Sequence, residues 1–82
     1  MANDKFFPRY SDFRGHLDHL VEECGEVVAA AGKAMRFGTL GVNPHLPESE
    51  QETNLDWLKR EMADLKGAIA RMEQAIQFHY PS

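Results

Sequence analysis

The 82-residue sequence holds a single cysteine, Cys24, so it can form no internal disulfide and lacks the cysteine pairs of the common zinc-finger spacings. Nothing in it asks for an oxidising compartment, and the cytoplasm is the expected location. No stretch approaches the roughly 20 apolar residues that a membrane helix needs, and the opening residues through Phe6-Phe7-Pro8 lack the apolar run of an export signal. Positive charge is also scarce. Nine Lys and Arg against thirteen Asp and Glu leave a formal net charge of −4, which argues against a protein that neutralises a polynucleotide backbone. A chain of this length makes one small domain and buries only about 60 to 65% of the surface its unfolded form exposes, so association with another copy is expected.

What is present is helical periodicity, in two blocks. Residues 1–10 read as an irregular arm, interrupted by Pro8, whose Phe6, Phe7 and Tyr10 should pack back onto the domain. Ser11 or Asp12 can cap a first helix over 11–37, where Leu17, Leu20, Val21, Cys24, Val27, Val28, Ala31 and Met35 recur at spacings of three and four. On that stripe Cys24 is expected to fill the core. Gly38 supplies a helix stop. Residues 38–48 contain two glycines and two prolines and form a loop, either a binding loop or a plain connector. A second helix, 49–79, is capped at Ser49 with Glu52 completing a capping box, or at Thr53. Its stripe is Leu55, Leu58, Met62, Leu65, Ile69, Met72 and Ile76, and Pro81 ends it.

The expected fold is therefore all-α, a long two-helix antiparallel hairpin. Helices of some 25 residues are nearly 40 Å long at about 1.5 Å per residue, and two of them cannot bury each other's stripes completely. Pairing two hairpins into a four-helix bundle across subunits is the simplest remedy, and it lets side chains on facing helices point into a shared interior.

The residues able to do chemistry are acidic. Glu22, Glu23 and Glu26 lie on the first helix, and Glu61 and Asp64 on the second. Glu23 and Glu26 are three apart, as are Glu61 and Asp64, so each helix presents two neighbouring carboxylates. On a wheel of about 100° per residue Glu61 falls roughly 60° from its stripe centre, Asp64 about 120°, and Glu23 about 100° from its own. Such flank positions border an inter-helix groove. Carboxylates gathered there repel one another unless a hard divalent cation neutralises them, and Mg²⁺ or Mn²⁺ suits an all-oxygen donor set. The plain reading of each pair alone is a solvated helix face.

Glu22-Glu23-Cys24-Gly25-Glu26-Val27, then Gly32-Lys33-Ala34-Met35-Arg36-Phe37-Gly38, then Asn54-Leu55-Asp56-Trp57-Leu58-Lys59-Arg60-Glu61-Met62-Ala63-Asp64-Leu65 resembles the MazG-like all-α nucleoside triphosphate pyrophosphohydrolases, whose pattern is EExxE followed by ExxD. The likeness spans about residues 17 to 70. It implies a Mg²⁺-dependent enzyme that splits a nucleoside triphosphate into monophosphate and pyrophosphate as a helical dimer or tetramer. By position it implies Glu23, Glu26, Glu61 and Asp64 as metal ligands, with Glu22 a further ligand through water or the group that orients the attacking water. Lys33 and Arg36 match basic positions that hold phosphates, although basic residues near a helix C-terminus are also favoured by its dipole. Asn54 matches an Asn that bonds substrate or metal-bound water, and it reads equally as a helix cap. Trp57 and Phe37 are able to stack on a base but read more simply as packing.

Two other readings come from the residues alone. His16, His19 and Glu23, three and four apart, form a candidate transition-metal face. Alternatively, the chain is a non-catalytic helical hairpin that pairs with another protein through its apolar stripe, its acids serving solubility.

Overall fold

The computed structural model describes residues 12–82, so the arm expected over 1–10, and Ser11 as a candidate cap, lie outside the described residues. Helix α1 runs Phe13–Phe37, a single 3-10 turn covers Glu48–Glu50, and helix α2 runs Asn54–His79, with no strand among the described residues. Asp12 caps α1 by accepting from the Gly15 amide at 2.6 Å. Gly38 closes the helix with its φ of 86° and donates its amide to the Ala34 carbonyl, a positive φ that a side chain resists.

The second helix begins later than residue 49. Thr53 is its cap, with Oγ1 accepting from the Asp56 amide at 3.1 Å, while Ser49 lies in the 3-10 turn and no capping box forms there. Glu52 is instead engaged by Arg60 at 2.7 Å. The linker is an organised loop. Asn43 Oδ1 accepts from the His45 amide at 3.0 Å, and Gln51 Nε2 donates to the Leu46 carbonyl at 3.0 Å. The loop is sewn to the start of α2 by the Asn54 amide to the Gly41 carbonyl and the Leu55 amide to the Thr39 carbonyl, each 2.8 Å. A Cβ on Gly41 would lie 2.6 Å from the Phe37 carbonyl oxygen, so the approach requires glycine.

The helices pack against each other and run antiparallel, since Phe13 at the start of α1 sets its ring edge-on to His79 and Tyr80 at the end of α2. Alanines recur among the buried positions. Gly15 and Ala30 are buried on α1, and Asn54, Glu61, Ala68, Met72 and Ala75 on α2. This corrects the expected core. Val21 and Val28 are each 71% exposed and Met35 86%, Leu17 is exposed as well, and Cys24 is an exposed free thiol rather than core filler. The reason is angular: Ala30 lies close to Glu23 on the wheel, roughly 100° from the centre of the α1 stripe, so α2 covers the flank that carries Glu23. On α2 the seam follows Glu61 itself, and Met62, Ile69 and Ile76 are left exposed. Because the helices are antiparallel, the two uncovered apolar flanks turn to one side of the hairpin, and the outer acids turn to the other. No described helix is long and apolar enough to cross a membrane.

Candidate metal centre and adjoining cleft

The offset seam brings acids from both helices together. Glu23, Glu61 and Asp64 each offer a carboxylate oxygen, and these oxygens lie within 4.8 Å of one another. Glu61 is 6% exposed, Glu23 half-buried and Asp64 exposed, so the group has a closed side in the seam and an open side to solvent. Glu26 is exposed and stands outside this group, as does the exposed Glu22.

The buried carboxylates are unevenly served. Glu61 Oε2 accepts from the Trp57 indole Nε1–H at 3.0 Å and has Arg60 at 3.7 Å. Glu23 Oε1 lies 3.7 Å from His19 Nε2, whereas Glu23 Oε2 is buried with no hydrogen-bonding partner among the described residues. A buried carboxylate oxygen without a donor is costly, and three carboxylates this close repel, so the arrangement is suited to a cation. The donors are all oxygen, which fits Mg²⁺ or Mn²⁺. His16 and His19 are half-buried; His19 approaches Glu23, but among the described residues neither histidine joins the converging group of Glu23, Glu61 and Asp64.

Beside the acids, between the end of α1, the loop and the start of α2, lies a cleft of about 790 Å³. Lys33, Phe37, His45, Asn54, Trp57 and Arg60 are among its walls. Lys33 Nζ sits 5.4 Å from the centre of the Phe37 ring. Arg60 is an exposed cation whose pKa the hydrogen bond to Glu52 raises above its ordinary value, so it carries charge at every working pH. Arg36 is exposed in the last turn of α1 and does not line the cleft. Asn54 is not the helix cap: buried, it donates one Nδ2–H to the Gly38 carbonyl at 2.9 Å and ties the loop to α1.

Arg60 is the site residue that the sequence reading did not single out, and Trp57, read there as packing or a base-stacking ring, also serves Glu61. The second role has a signal in the sequence, because Trp57 stands four before Glu61, the spacing at which helical side chains meet.

Comparison with protein-family models, with curated proteins and with solved structures finds no match to this chain.

Proposed function

We propose that this protein is a Mg²⁺-dependent nucleoside triphosphate pyrophosphohydrolase of the MazG-like all-α kind, converting a ribo- or deoxyribonucleoside triphosphate to the monophosphate and pyrophosphate. The observation that carries the reading is the convergence of Glu23, Glu61 and Asp64 within 4.8 Å from two helices, with one buried carboxylate oxygen unpaired. These three residues would hold the cation, which when bound supplies the positive charge against which a pyrophosphate group departs. Motif position adds Glu26 as a further ligand and Glu22 as the group that orients water toward the α-phosphorus.

The cleft gives the substrate its place. Phe37 and Trp57 offer aromatic surface to a base, and Lys33 and Arg60 stand on the same walls to meet phosphate oxygens, Arg60 with the planar fork that suits them. Arg36, one helical turn from Lys33, reaches phosphate only from outside the cleft wall. Asn54 contributes by fixing the loop that shapes the cleft. Leu17, Val21, Val28 and Met35 of α1, with Met62, Ile69 and Ile76 of α2, form an apolar side that suits a second hairpin, giving a four-helix bundle as a homodimer or homotetramer.

That same apolar side favours one other reading, a non-catalytic hairpin that associates with a different protein. The deciding experiment incubates the purified protein and Mg²⁺ with a panel of ribo- and deoxyribonucleoside triphosphates and identifies the products, with Glu61→Gln alongside. Monophosphate and pyrophosphate, lost in the variant, are expected. No turnover on any member of the panel, together with no Mg²⁺ binding, would return the hairpin to the non-catalytic reading.

A further inference from the structure

Glu61 is the most buried acid of the cluster and, among the described residues, the only one of the three given a neutral hydrogen-bond donor, the Trp57 indole N–H at 3.0 Å. A carboxylate rotates about its last bond with little resistance unless something holds one oxygen. Trp57 is itself placed by the first turns of α2 and forms part of the cleft wall, so it is anchored independently of the acids. Arg60, the other neighbour of Glu61 Oε2, stands farther off at 3.7 Å and is committed to Glu52 at 2.7 Å. The indole is thus the group that decides how the Glu61 carboxylate presents itself to Glu23 and Asp64.

We infer that Trp57 is a positioning residue for the divalent cation: by holding Glu61 Oε2 it fixes the carboxylate in the orientation that the cluster uses, and it joins the cleft to the cluster through one side chain. This rests on the proposed cation site. Groups that hold a metal ligand from behind change metal affinity by about 10- to 100-fold when removed. Trp57 is also the sole tryptophan, so its emission reports on its own bond to Glu61.

The test follows the melting temperature and the tryptophan emission through Mg²⁺ titrations, with NaCl controls at matched ionic strength, in wild type, Trp57→Phe, Glu61→Gln and the double variant. In wild type Mg²⁺ raises the melting temperature beyond the NaCl control, and the emission shifts with the same midpoint. In Trp57→Phe the apparent Kd for Mg²⁺ rises about 10-fold or more, while in the Glu61→Gln background the same change has no further effect. A wild-type response that persists unchanged in Trp57→Phe overturns the role of Trp57 and leaves the cation site standing. A wild type with no Mg²⁺-specific response removes the site and this inference together. Should Trp57→Phe fail to fold, the wild-type emission decides, because emission that stays constant while Mg²⁺ raises the melting temperature overturns the inference.

Discussion

Replacing Asn54 by alanine removes one hydrogen bond and part of a packed side chain without disturbing the helix, since alanine is well tolerated in the first turn. The bond lost is Nδ2–H to the Gly38 carbonyl, 2.9 Å, across a 16-residue separation. Gly38 is exposed, so its carbonyl can take water afterwards, and the loss is the net value of the bond, about 1 kcal/mol, rather than the larger penalty of a stranded acceptor. Asn54 is only 9% exposed and its Nδ2 would be 3.1 Å from a Cβ on Gly41, so truncation also leaves a gap worth roughly 1 kcal/mol more. A total near 2 kcal/mol, set against an unfolding entropy of about 0.17 kcal/mol/K for 82 residues, lowers the melting temperature by about 12 °C. Circular dichroism melts at one fixed protein concentration without divalent cations measure this directly. A change under about 3 °C would refute the strut, and if turnover nevertheless collapsed, the amide would be acting on the ligand.

Three further variants test parts of the site and the proposed assembly. Glu23→Gln should abolish most of the Mg²⁺-dependent rise in melting temperature, which for wild type amounts to about 2.7 kcal/mol at 100 times Kd. Glu26→Gln should retain more than half of it, because Glu26 stands outside the converging trio; equal losses would show that the bound state gathers both. If hairpins pair through the exposed apolar side as proposed, Val28→Glu should convert the wild-type oligomer to monomers in sedimentation while leaving helix content intact, whereas an oligomer of unchanged mass would refute pairing through that side.

Periodicity alone yielded both helices and their antiparallel pairing, since α1 and α2 each repeat apolar residues over six or seven turns and Gly38 marks a stop. The start of α2 was harder. Ser49 and Thr53 carry equally good capping oxygens, and the choice was made by Arg60 drawing Glu52 away and by the Gly41 and Thr39 carbonyls taking the first amides of the helix. The acids Glu23, Glu61 and Asp64 were legible as flank residues, but a flank becomes a seam only when the partner helix chooses it. Here the alanines Ala30, Ala68 and Ala75 allow close approach on that flank, where Met72 is the one larger apolar side chain buried among the described residues, and Val21, Val28, Met35 and Met62 are left exposed. Cys24 was misplaced for the same reason. For Asn54 the sequence suggests a cap or a ligand group, both local roles, whereas its bond to a carbonyl 16 residues away leaves no trace in spacing.

The way the loop is sewn to α2 restricts how the cleft can meet a charged ligand. Helix N-termini often cradle phosphate through their unspent backbone amides. Here the amide of Asn54 is given to Gly41, that of Leu55 to Thr39 and that of Asp56 to Thr53, so none of the three points outward. An anion bound in the cleft would therefore be met by the side-chain cations Lys33 and Arg60, and Arg60 would share its guanidinium between that anion and Glu52. Ligand affinity at this end of the hairpin should fall steeply with added salt, as screened side-chain charges do, instead of showing the weaker dependence of a rigid amide nest.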